Sequence, residues 1–256
     1  MAVQRVVSIL LLLLLLPLIF GFCLRARATT YNGGTWDEAH ATCYESDATT
    51  MGGACGYSNV DTLGYGENTT AISYALFNDG YTCGACFNIK CNNDKSCKQS
   101  TTVTVTATNS CPSNAPNTPP WCNVPKKHFD LAKSMFITIA EYTAGVVPVL
   151  YRRVPCSRNG NIKFTFIIKV SAYFKLVLIT NVGGAGDVQE VLVITVANGS
   201  SKKLRKNWGQ HWQLDGVDEG QDLKFQVTTS DKNSVTSRVI SNWKFGETHD
   251  GEAQFS

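Results

Sequence analysis

The sequence is short of several things. After residue 23 no apolar run is long enough to cross a membrane, after Cys156 there is no cysteine, and nowhere do basic residues dominate. The one strongly apolar segment is the first, "MAVQRVVSILLLLLLLPLIFGFCLRARA". An early Arg5, an apolar core ending near Cys23 and a small-residue site at Ala26-x-Ala28 predict a secretory signal peptide over residues 1–28. An uncleaved anchor is the alternative, but the run barely reaches the ~20 residues of a span and contains Pro17, so an integral membrane protein is not expected. Loss of residues 1–28 removes Arg5, Arg25 and Arg27 and no acid, leaving 20 basic against 20 acidic side chains. A zero formal charge argues against a nucleic-acid partner, which favours a clustered basic surface, and points to a neutral one. The remaining 228 residues suffice for one large or two modest cores, with no internal repeat or low-complexity run.

Nine cysteines remain, at 43, 55, 83, 86, 91, 97, 111, 122 and 156. In a secreted chain they read as disulfides, and their confinement to the first part marks a domain boundary. Cys83-x-x-Cys86 also matches a redox pair, and with Cys91 and Cys97 a zinc site. No βαβ pattern surrounds it, however, and the spacing is not a regular pair of pairs. No metal or organic cofactor is expected. The odd count leaves one thiol over.

Residues 29–157 are rich in Gly, Asn, Ser, Thr and Cys. "TTVTVTAT" alternates Val103, Val105 and Ala107 against threonines, a half-buried strand. "SNAPNTPPWCN" is a proline-rich loop, and "GVVPVLYRRV" returns to strand. "FDLAKSMFITIAEY" places Leu131, Met135 and Ile139 at helical spacing, predicting about three turns. From residue 162 the texture becomes short strands: "NIKFTF", "YFKLVLIT", "QEVLVITV", "LKFQVTT" and "TSRVIS", several of them separated by turn-forming stretches. The expectation is an all-β chain, with a disulfide-stapled first domain and a cysteine-free β-sandwich over 162–256. Asn68-Thr69-Thr70 and Asn198-Gly199-Ser200 permit N-glycosylation.

The stretch "KKHFDLAKSMFITIA" raises the functional question. Its Asp130 can cap the following helix, worth ~1 kcal/mol, or serve as the proton donor of a glycosidase. The second role needs another carboxylate.

Long stretches decide the family the chain resembles. "GGACGYSNVDTLGYGENTTAISYALFNDGYTCGACFNIKC", "WCNVPKKHFDL", "VVPVLYRRVPC", "LVLITNVGGAGDV" and "NWGQHWQ" together resemble the α-expansins of plant cell walls, in the family's order over nearly all of the mature chain. The resemblance implies a six-stranded double-psi β-barrel over 29–157 and an Ig-like, family-63-type cellulose-binding sandwich. It implies a monomer secreted to the cell wall that loosens cellulose and xyloglucan contacts at acidic pH without hydrolysis. It also implies the pairings Cys55–Cys83, Cys86–Cys156, Cys91–Cys97 and Cys111–Cys122. The second closes a loop of about 70 residues, worth roughly 4 kcal/mol in the chain-entropy model. Cys43, where the family carries an aromatic residue, is left as a free, partly buried thiol.

The barrel of this family is similar to that of the inverting family-45 endoglucanases, which need a raised-pKa acid and a base ~6.5–9.5 Å away. Asp130 matches the acid. The base falls, by resemblance, two residues after the tyrosine of Thr42-Cys43-Tyr44, on Ser46, which cannot hold the charge. Glu45 and Asp47 are the neighbouring acids. Asp47 matches an expansin aspartate. Glu45 keeps an endoglucanase reading open, although adjacent positions of an extended segment point to opposite sides. Thr42, Tyr44, Asp47, Asn109, His128 and Asp130 are thereby the expected lining of a wall-loosening groove, with an Asx-type turn the alternative for Asn109. In the second domain, the resemblance places Tyr173, Phe174 and Trp208 on an aromatic platform able to stack on pyranose faces. Trp212 and Trp243 read as core. "FTFIIKVSAYF" departs from the family's Asn-Gly hairpin and is about two residues longer; together with Cys43 and an "ESDATTM" loop about two residues shorter than the family's, it leaves a third reading, a glycan-binding protein without loosening activity.

Overall fold

Residues 34–45, 53–111, 120–171 and 174–256 are described by a computed structural model of the chain. The leader 1–28, Ser46, Asp47 and Tyr173 lie outside the described residues.

Six strands close a barrel: β1 (Asp37–Tyr44), β2 (Thr69–Ile72), β3 (Cys86–Cys91), β4 (Val103–Ser110), β5 (His128–Ala132) and β6 (Val147–Val154). Their order around the wall is β1-β5-β2-β4-β3-β6. The period of two sends alternate residues inward. Phe87, Phe129 and Tyr151 meet at the centre with ring centroids 4.9–6.0 Å apart, and Ala39 and Ala41 on β1 leave room for them.

The expected three-turn helix is shorter. Helix α1 is the single turn Tyr74–Phe77, and α2 covers Lys133–Ile139, about two turns. Asp130 does not cap it, because residues 128–132 belong to β5, and Ala132 at the cap position makes no side-chain bond. The strand wins because it pairs with β1 and β2 at once, and because Phe129 and Leu131 both point into the barrel fully buried.

The second half is a sandwich. One sheet runs β11 (Arg205–Trp208), β12 (His211–Gln213), β8 (Phe174–Thr180), β7 (Lys163–Ser171), β15 (Thr248–Asp250). The other runs β10 (Ser201–Lys203), β9 (Val188–Thr195), β13 (Leu223–Thr229), β14 (Ser234–Thr236). Between them Phe166 stacks on Trp243 at 4.0 Å, and Trp212 is equally buried, so both tryptophans are packing residues. The expected strand "TSRVIS" does not form. Strand β14 ends at Thr236, since the Ser237 hydroxyl accepts from Phe225 N–H and gives its proton to the Arg238 carbonyl.

Disulfides join Cys55–Cys83, Cys86–Cys156, Cys91–Cys97 and Cys111–Cys122, and Cys43 is free. The two halves are firmly joined. Arg153 of β6 pairs with Asp187 at 3.0 Å, both side chains 4% exposed. Cys156 and Gly184 exchange backbone bonds, and a Cβ on Gly84 would lie 2.4 Å from the Gly186 carbonyl oxygen.

Candidate functional site

The outer faces of four adjacent barrel strands carry a row of residues in register: Thr42 on β1, Asp130 on β5, Ala71 on β2 and Asn109 on β4. With strands ~4.8 Å apart the row is about 14 Å wide, and alternation adds His40, Tyr44 and His128 to the same face.

The Thr42 hydroxyl lies 2.8 Å from Asp130 Oδ1 and 2.9 Å from His128 Nε2. A carboxylate only accepts, so Thr42 donates to Asp130 and His128 donates to Thr42. With Asp130 ionised this places the imidazole proton on Nε2. Its Nδ1 is buried without a partner among the described residues. Burial, assisted by the neighbouring His40, lowers the His128 pKa to about 4, which keeps the ring neutral. Burial also raises the Asp130 pKa, opposed by the Thr42 hydrogen bond. Asp130 is thus a carboxyl whose proton is held more firmly than in water. Cys111, Cys122 and His128 converge within 4.8 Å, but the two sulfurs are bonded to each other and offer no thiolate.

Tyr44 shares a 3.0 Å hydrogen bond with Thr69, and its backbone neighbour Cys43 faces the core, where burial pushes the thiol pKa up. Glu45 turns toward α2. Its Oε1 accepts from Lys133 at 2.8 Å and from Tyr142 at 3.4 Å, and the lysine holds its pKa low. A carboxylate so held is a weakened base. Asn109 is a strut, because its Oδ1 accepts from Ala54 N–H at 2.7 Å and Ser110 N–H at 2.8 Å and so is not a free acceptor.

That strut fixes the loop leading to the sandwich. Gly56 packs on the side chains of His211 and Trp208, and Gln210 N–H reaches the Cys55 carbonyl. Trp208 lies flat on His211, 4.3 Å between centroids and 15° between planes, and stays 46% exposed. Leu178, His211 and Trp208 are register neighbours across β8, β12 and β11, and Phe174, half-buried, falls by alternation on the same outer face as Leu178. The β7–β8 pairing shifts register between Ile167 and Ser171. Asn68 and Asn198 are both exposed. Reading the sequence alone missed His211, the ring beneath Trp208, and Lys133 and Tyr142, which hold Glu45. It also missed His40, which the period of β1 places beside Thr42.

Two family models match the chain: DPBB_1, described as lytic transglycolase, over residues 69–151, and the expansin C-terminal domain over 164–241. Expansin-A22 of Arabidopsis thaliana is 49% identical over 86% of this chain and 80% of its own length. Expansin-A7 of the same plant is 42% identical over 88% of each, and Expansin-A32 of Oryza sativa subsp. japonica 41% identical over 88% and 87%. Among solved structures the apo expansin of Clavibacter michiganensis superposes with a TM-score of 0.66 at 18% identity, covering 87% of this chain and 98% of that one. A D78N mutant of that bacterial protein in complex with cellohexaose gives 0.64 at 15% identity, over 87% and 98%. Matched along most of its length by plant expansins, the chain belongs to the expansin family.

Proposed function

We propose that the protein is a secreted, monomeric cell-wall loosening protein that separates cellulose and xyloglucan contacts at acidic pH without cutting them. Residues 29–157 form the groove domain, 162–256 the glucan-holding domain, and 1–28 the leader. The observation that supports this reading is the continuous path from Thr42 and Asp130 through Asn109 and the Gly53–Gly56 loop to the Trp208–His211 stack. A bacterial relative by fold has been solved with cellohexaose, and a path of this kind suits a linear glucan.

Asp130 is the reactive group of the path. Its raised pKa keeps a larger protonated fraction at the acidity of a growing wall. Protonated, it donates to a glucan oxygen; ionised, it accepts from a glucan hydroxyl. Swapping one hydrogen bond of ~1 kcal/mol net for another is nearly isoenergetic, so chains separate without bond cleavage. Hydrolysis needs a base across the groove. Glu45 is tied to Lys133 on the helix side, which disfavours it in that role. Tyr44, His128, Asp47 and Asn109 shape the groove, while Trp208, Phe174 and Tyr173 hold glucan faces. The deciding experiment is creep of heat-inactivated wall strips, run beside a reducing-sugar assay. Wild type is expected to extend the strips at acid pH and release no sugar, and Asp130→Ala to abolish extension. Release of oligosaccharides that disappears in Glu45→Gln would overturn the reading.

A further inference from the structure

The groove does not end at Thr42. His40, two residues earlier on the same face of β1, stacks on Trp121 at 4.6 Å, and Lys126 lies over that ring at 4.8 Å. From His40 a concavity of about 800 Å³ opens on the outer face of β1 and β6, lined by Trp36, Lys126, Lys127 and Pro148 among others. Two cations beside the concavity approach the ring of its Trp36. Lys90 Nζ is 4.4 Å and Arg152 Cζ 4.6 Å from the Trp36 ring centre. Lys90 and Arg152 come from neighbouring strands, with Lys90 opposite Leu150 and Arg152 opposite Asn88. A second hollow of about 380 Å³ adjoins across Lys90 and Asn92.

What distinguishes this face is charge without an internal partner. Among the described residues no carboxylate lies within ion-pair distance of Lys90, Lys126 or Arg152, and Arg152 Nε is buried with nothing to bond to. Lys127 is matched by Asp37 at 3.5 Å, and Glu38 is the remaining acid of the concavity. The face is therefore positive by two on a mature chain whose sequence sums to zero. Neutral glucan gives such cations nothing to pair with. A sugar bearing a carboxylate does, since the pyranose ring stacks on an aromatic and the carboxylate takes charge-assisted bonds from guanidinium and ammonium.

We propose that this face is a second glycan site, which binds uronate residues of an acidic polysaccharide and leads from the groove at His40. The site anchors the protein on anionic polymer while the groove works on neutral glucan. Its occupant is recognised by carboxylate charge, so esterification of the polymer removes the signal.

The test is a depletion isotherm of the full-length mature protein on cross-linked polygalacturonate, on the same polymer fully methyl-esterified, on glucuronate-substituted xylan and on cellulose. Wild type is expected to bind both acidic polymers, to lose them with added salt, and to ignore the ester. Lys90→Gln/Arg152→Gln is expected to weaken acidic-polymer binding roughly tenfold, the scale of one charge-assisted contact, while its cellulose isotherm, which reports a folded protein, stays unchanged. Lys224→Gln/Lys232→Gln, which removes two charges from the sandwich, should match wild type. Binding of the polygalacturonate alone would narrow the ligand to galacturonate and support the site. Equal binding to the ester, equal loss from the two double variants, or wild-type affinity in Lys90→Gln/Arg152→Gln would each overturn it. None of these outcomes depends on wall creep, so the groove reading stands or falls separately.

Discussion

Thr42 donates its hydroxyl proton to Asp130 across neighbouring strands, 2.8 Å between oxygens. This bond opposes the burial that raises the carboxyl's pKa. Thr42→Val therefore moves the Asp130 pKa further up, and the pH profile of creep should shift to higher pH. The same change strands the His128 Nε2 proton in a buried place, at a cost of about 1–3 kcal/mol in denaturant unfolding. Thr42→Ser should restore both. A profile that stays in place in Thr42→Val would separate Asp130 protonation from activity.

Asp130→Asn has the opposite effect on stability. With the folded pKa raised, the native chain keeps a proton that the unfolded chain gives up, so folding weakens as pH climbs out of the ordinary carboxylate range through the raised value. Asparagine has no such loss. Its Tm should exceed wild type at neutral pH and converge with it in acid, while creep is lost. A Tm difference independent of pH would contradict the raised pKa.

The buried histidines work in the other direction. His128 and His211 are both brought to about 4 by burial. From pH 6.5 down to 4 the unfolded chain takes up protons that these rings refuse, and each can remove up to about 3 kcal/mol of stability. Unfolding free energy followed over that range should fall on acidification, and His128→Gln should flatten part of the slope. An unchanged slope in that variant would show that His128 titrates normally.

The Arg153–Asp187 pair ties barrel to sandwich in a dry place. Burial raises the Asp187 pKa in spite of the guanidinium, which indicates that desolvation outweighs the pairing. Removing one partner leaves the other charged and buried, so Arg153→Met should cost 3–5 kcal/mol, a range typical of such pairs. Arg153→Met/Asp187→Leu should recover most of it. Equal losses in the single and double variants, read from urea midpoints, would refute a coupled pair.

How much of this was legible in the residues follows from which forces are local. The alternation of "TTVTVTAT" and "VVPVLYRRV" points to β4 and β6; β6 buries every second residue, while β4 buries Thr106 and Thr108 as well as Val103, Val105 and Ala107. For Asp130 the sequence offers a helix cap or a functional carboxyl, and the structure places it on a strand. The helix-like spacing at Leu131, Met135 and Ile139 is real from Met135 onward, but two partner strands, distant in sequence, claim residues 128–132. Likewise the stack of Trp208 on His211 depends on a bulge after Lys206, and the capture of Glu45 by Lys133 spans 88 residues. No local pattern encodes either.

Gly56 offers a sharp test of the path between groove and platform. Its φ is +77°, and an added Cβ would fall 2.2 Å from His211 Cε1 and 3.0 Å from Trp208 Cη2. Gly64 has φ +78° with nothing within 4 Å of a Cβ. Alanine at either site pays the same left-handed backbone strain, of order 1–2 kcal/mol, but only at position 56 must the His211–Trp208 stack move. Gly64→Ala should thus lose stability and keep its cellulose isotherm. Gly56→Ala should lose stability and, in addition, bind cellulose several-fold more weakly, with a changed tryptophan emission. If the two variants bind cellulose alike, the aromatic stack either absorbs the clash without moving or takes no part in holding glucan, and a Trp208→Ala isotherm then decides which. Wild-type affinity in Trp208→Ala would remove the platform from the path and leave glucan holding to the barrel groove.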